Sequence, residues 1–153
     1  MFNLKAESYL KIIFLFSFIS LISAFFIEYI LGHQPCNLCL IERIPYILSI
    51  MMIMAIFLIK KNQKFLVLLL ILTFIFSFAI SFYHFGIEQG FFQESSVCGV
   101  KSLTESVTKE DLLKQLSEKT ISCKDVTFRI FGLSLTSINI VISILFILTL
   151  LKI

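Results

Sequence analysis

The sequence predicts an all-α membrane protein, a four-transmembrane-helix bundle with one long outer loop that carries a short helix. Three observations predict it. Hydrophobic residues make up 58% of the 153 and charged residues only 15%, whereas a soluble domain is nearer half apolar and a quarter charged. Mean hydropathy is +0.99, too apolar for the chain to cover itself with polar surface in water. The apolar residues also fall into four long runs separated by short polar stretches.

The runs lie at about residues 12–31, 44–59, 65–83 and 133–151, each close to the roughly 20 residues that a helix needs to cross the hydrocarbon core. In each, apolar residues surround the helix instead of forming one stripe, as lipid-facing helices require. The second run is short unless its helix begins near Leu40, which places Pro45 in the first turn, where its missing N–H matters least. Lys5 and Lys11 precede the first run as they would in a signal peptide. That run is longer than a usual signal core and has no small-x-small cleavage site before Cys36. A single integral-membrane domain, residues 1–153, is therefore expected.

Lysine and arginine orient the bundle. Lys5, Lys11, Lys60, Lys61, Lys64 and Lys152 all fall on one side of a four-span protein, and the short loop on the other side, about residues 32–43, holds only Arg43. The positive-inside rule puts both termini in the cytoplasm. The long loop, about residues 85–132, has six basic and seven acidic residues, and long loops cross with little regard to charge. Within it, Thr108 and Asp111 resemble a capping box, and Val107, Leu112, Leu113 and Leu116 form one apolar face. A helix over 107–119 is expected, either on the membrane surface or solvated. The net charge of +3 is too small to suggest nucleic acid.

This topology, derived from lysines alone, places all four cysteines on the outer side. In a bacterial inner membrane that side is the periplasm, where disulfides persist. Cys36 and Cys39 form a Cys-x-x-Cys just before or at the N-terminus of the second helix. So small a ring contributes little chain-entropy stabilisation, and the helix end favours a thiolate. Arg43, four residues after Cys39, shares its helical face. An inert staple or a metal site is the alternative. A zinc site built from all four cysteines lacks the paired spacing, because Cys98 and Cys123 are far apart, and no metal is expected. A Cys98–Cys123 bond would close a real loop, and by itself reads as structural.

Thiol chemistry needs an electron acceptor. The sequence has no Gly-rich nucleotide motif and no Cys-x-x-Cys-His haem site. A lipid-soluble quinone, ubiquinone or menaquinone, fits a small bundle. Its candidate polar contacts are Arg43, Glu42 and His84, while Glu28 reads as a snorkelling interfacial charge.

The segment from Pro35 through Cys36, Cys39, Glu42 and Arg43, the run Tyr83-His84-Phe85-Gly86-Ile87-Glu88-Gln89-Gly90, and Cys98 with Cys123 followed by Phe131-Gly132-Leu133-Ser134-Leu135 together resemble the disulfide-bond-formation protein B (DsbB) family. The resemblance spans nearly the whole chain. It implies a thiol:quinone oxidoreductase whose outer pair, Cys98–Cys123, oxidises a DsbA-like periplasmic dithiol oxidase, with Cys98 forming the mixed disulfide. The inner pair, Cys36–Cys39, would reoxidise the outer one, and Cys39 would carry the thiolate that meets the quinone, near Arg43, Glu42 and His84. Relatives often carry Trp where Phe128 and Ile138 stand here, and this chain has none. Two other readings are a relative of the vitamin K epoxide reductase group, which usually places its Cys-x-x-Cys late in the bundle, and a scaffold whose disulfides only staple loops.

Overall fold

The computed structural model describes residues 4–59, 62–94, 98, 122–124, 129–130 and 132–152. The expected helix over 107–119, and Phe128 and Phe131, lie outside the described residues.

Helix α1 spans Leu4–Tyr29, α2 Asn37–Ile41, α3 Arg43–Leu58, α4 Gln63–Glu88 and α5 Leu135–Leu150. Among the described residues, three helical stretches are long and apolar enough to cross a membrane: Ala6–Tyr29, Asn37–Leu58 and Gln63–Glu88. The 16 residues of α5 rise about 24 Å at 1.5 Å per residue, shorter than the other three. Helices α1 and α4 are longer than the first and third apolar runs because polar ends such as Gln63 and Glu88 continue the same turns.

The second stretch is broken once. Helix α2 ends at Ile41, and Glu42, still in helical geometry, leads directly into α3. Pro45 has no N–H to return to the Ile41 carbonyl, so one rung of the ladder is missing there. The proline is buried in the first turn of α3, where that loss is tolerated.

The fourth run does not begin as helix. Arg129–Ile130 and Leu133–Ser134 pair as a two-residue antiparallel ribbon, β1 and β2. Gly132 sits in the turn at φ +82°, a left-handed conformation that glycine adopts without steric cost. The Ser134 hydroxyl then accepts the Ser137 N–H at 3.3 Å and caps α5.

Helix α4 packs against α3 and α5, and α1 against α3 and, along a thinner seam, α5. One core joins Leu10, Ile13, Ile53, Leu70, Phe74 and Phe146. The exterior is apolar: Ile12, Leu15, Leu72, Phe76, Val141 and Leu145 are exposed. The interior is dotted with polar groups, since Ser17, Ser49, Ser77, Ser81 and Ser143 are fully buried. Ser49 donates to Ser17 at 3.1 Å and Ser143 to Ser77 at 3.2 Å. Small hydroxyl residues let helices approach closely and bond across the gap, an arrangement suited to a lipid solvent.

Candidate functional site

The site is built where α2 starts and α4 ends. Cys36 precedes α2 with extended backbone, and its sulfur accepts the Cys39 N–H at 3.3 Å. The helical turn from 36 to 39 folds the two sulfurs together, with Sγ atoms 2.8 Å apart. Both are free thiols, Cys36 buried and Cys39 partly so. The Cys39 thiol donates to Cys36, and His84 stands beside it. Against the opposing effect of burial, these lower the Cys36 thiol from 9.0 to about 4.

His84 comes from the last turns of α4 and is 2% exposed. Its Nε2 lies 3.5 Å from Cys36 Sγ and its Nδ1 3.0 Å from Glu42 Oε1. With Nδ1–H donating to the carboxylate, Nε2 is left to exchange a proton with Cys36. Glu42 orients the ring as the third member of an activated-nucleophile arrangement. Asn139, from α5, donates to Glu42 Oε2 at 3.3 Å and to Ser81 at 2.7 Å, and its amide oxygen accepts the Tyr46 hydroxyl. Thr136 stands 3.3 Å from His84 Nδ1 and donates to Glu88 Oε1 at 2.7 Å. The other Glu88 oxygen is buried without a hydrogen-bond partner among the described residues.

Arg43 points away from this network toward α1. Its Nη1 meets Glu28 Oε2 at 2.5 Å, and its guanidinium lies 5.1 Å from the Phe25 ring centre. The helical spacing puts Arg43 on the face of Cys39, yet the guanidinium is engaged by a carboxylate from another helix. Glu28, read from sequence as a snorkelling charge, is that partner.

Cys98 and Cys123 form a disulfide with Cα atoms 5.6 Å apart, an ordinary separation for such a bond. Both are buried, in one cluster with Cys36, Leu38 and Ile87, against which Cys39 packs. Glu94, just beyond α4, accepts the Lys124 N–H at 3.0 Å and the Ser122 hydroxyl, fastening the turn around Cys123.

A cavity of about 350 Å³ opens at the α1–α5 seam, within the size range of small-molecule sites. Cys36, Cys39, Arg43, His84 and Cys123 line its polar end, and side chains such as Ile27 and Ile138 line the rest. The structure therefore brings Cys36, Cys39, Glu42, Arg43, His84 and Cys123 to one cavity. Glu28, Glu88, Glu94, Thr136 and Asn139 were not singled out as site residues from sequence. The available signal was their polarity inside or beside apolar runs, most plainly for Asn139 in the fourth.

The apolar exterior, polar interior and clustered cysteine pairs define a membrane-embedded protein of thiol–disulfide chemistry. The model of the family described as disulfide bond formation protein DsbB matches residues 6–153. The chain belongs to that family. It is also 31% identical over 130 residues to a protein of Rickettsia prowazekii (strain Madrid E) described as uncharacterized, covering 84% of this chain and 76% of that one.

Proposed function

We propose that this protein is a disulfide-generating thiol:quinone oxidoreductase of a bacterial inner membrane. In this reading α5 is a fourth span, both termini are cytoplasmic and the four cysteines are periplasmic. The observation that carries it is the packing of both cysteine pairs into one buried cluster beside a cavity with apolar helical walls.

The outer disulfide accepts two electrons from the dithiol of a DsbA-like oxidase, releasing that partner's new disulfide. The outer dithiol then reduces the inner disulfide by thiolate exchange through a mixed intermediate. Cys36 shares the buried cluster with Cys98 and Cys123, which suits it for that exchange, and Cys39 then carries the second sulfur toward the cavity. His84 takes up and returns the Cys36 proton, held by Glu42. A quinone bound at the polar end supplies the two-electron acceptor. The aliphatic side chains of α1 and α5 would hold its ring and tail, with Arg43 and His84 at its oxygens.

The test is quinone reduction by purified protein supplied with a reduced thioredoxin-fold dithiol partner. One quinone should be consumed per partner disulfide formed. Partner oxidation without quinone loss, or no oxidation at all by folded protein, removes this reading.

A further inference from the structure

We propose that Cys36, Cys39 and His84 form a binding site for one thiophilic divalent cation of the zinc class, present only when the inner pair is reduced. Cys36 Sγ, Cys39 Sγ and His84 Nε2 all lie within 4.8 Å of one another. Zinc bonds of about 2.3 Å to sulfur and about 2.0–2.1 Å to nitrogen set tetrahedral edges of roughly 3.5–3.8 Å. The Cys36–His84 edge is already 3.5 Å, and the sulfurs, 2.8 Å apart, need only a small side-chain rotation to open the seat.

Three observations mark these donors as more than neighbours. Cys-x-x-Cys is the spacing of half a structural zinc site. His84 Nδ1 is engaged by Glu42 at 3.0 Å, which leaves the Nε2 lone pair for the ion, and zinc-binding histidines are held by such a carboxylate as a rule. Finally, Glu88 has a side chain only 5% exposed, with Oε2 unpartnered among the described residues and Oε1, which accepts Thr136, 3.9 Å from His84 Nε2. Glu88 thus places a buried carboxyl beside His84 but outside the three-donor group, and a ligand from solution completes the fourth position.

Binding displaces the Cys39 thiol proton and the proton that Cys36 shares with His84, and changes no oxidation state. Two thiolates neutralise a divalent cation, which lowers the cost of burying it inside the bundle. Formation of the Cys36–Cys39 disulfide removes both sulfur ligands, so the site closes on oxidation. This inference does not rest on quinone chemistry. If the thiol:quinone reading also holds, the ion occupies the sulfurs that turnover needs.

The experiment is Co²⁺ titration of purified full-length protein with Cys98 and Cys123 both replaced by Ser, reduced and then freed of reductant without air. The expected result is a sulfur-to-cobalt charge-transfer band with visible bands of tetrahedral cobalt, saturating at one ion per chain and bleached by Zn²⁺. Protein with the inner pair oxidised should show neither. Cys36→Ser and Cys39→Ser should abolish the charge-transfer band or halve it, His84→Gln should shift the visible bands, and Glu42→Gln should weaken binding about 10–100-fold. Absence of the bands in folded, reduced protein overturns the proposal. So does their persistence after oxidation, or spectra and affinity unmoved by both His84→Gln and Glu42→Gln. Failure here leaves the quinone-reduction test of the unsubstituted protein unaffected, so the two readings are separable.

Discussion

Cys36 and Arg43 show how much a residue's chemistry depends on what faces it. With Cys39 donating and His84 adjacent, Cys36 is a thiolate down to about pH 4. Its alkylation rate in reduced protein, followed by peptide mass, should therefore be flat near neutral pH and fall only as pH drops toward about 4. An ordinary thiol would instead gain rate up to its pKa of about 8.5, and such a profile at Cys36 would exclude the hydrogen-bonded arrangement. Arg43 supplies the cation at the cavity. Arg43→His is expected to raise the KM for quinone about 10–100-fold, the worth of a charge-assisted hydrogen bond of about 1.5–3 kcal/mol. Thiol exchange with the partner should change little. Equal loss of both activities would remove Arg43 from the quinone role.

At the scale of elements, polar contacts between helices hold the site in register. Asn139 joins α5 to Glu42, to Ser81 of α4 and to Tyr46 of α3. Asn139→Ala leaves those buried groups without a partner, and is expected to cost about 1–3 kcal/mol, read as a lower unfolding midpoint in detergent. An unchanged midpoint would mean that water replaces the amide. Gly86 has a different task. The Phe91 and Phe92 N–H groups both bond its carbonyl, at 2.8 and 3.1 Å, and a Cβ there would run into the Phe92 ring. Phe92 stacks on Tyr83 with ring centres 5.7 Å apart, one residue from His84. Gly86→Ala should displace Phe92 and destabilise the fold by about 1–3 kcal/mol, the usual cost of overpacking, with the same midpoint measurement as readout. Retention of the wild-type midpoint would show that Phe92 is not seated against α4.

At the scale of the whole molecule, the proposed function requires the buried Cys98–Cys123 disulfide to become accessible to a protein partner. Cys98 and Cys123 are 1% and 2% exposed, and Glu94 ties the Cys123 turn to the end of α4. Replacing Cys123 by Ser removes the bond and frees Cys98. Cells carrying Cys123→Ser should show a heavier band on a non-reducing gel that reductant collapses. Absence of that band, with the protein present in the membrane, would contradict the partner-facing role of the outer pair.

The sequence by itself determined the solvent and the reagents. Apolar runs are local, so hydropathy alone read the helices of a membrane protein, and Cys36, Cys39, Cys98 and Cys123 were legible by type and spacing. Proline and glycine were partly legible: Pro45 falls in a first turn as its chemistry requires, while the Gly132 turn delays the last helix to Leu135. The site's geometry was decided by the tertiary structure alone, because its partners are far apart in the chain. Helical spacing directs Arg43 toward Cys39, but Glu28, fifteen residues earlier, takes the guanidinium. His84 meets Cys36 across 48 residues, and Asn139 meets Glu42 across 97. A carboxylate or imidazole in an apolar setting is bound by whichever polar group packing delivers, and packing is a property of the bundle, not of any one run.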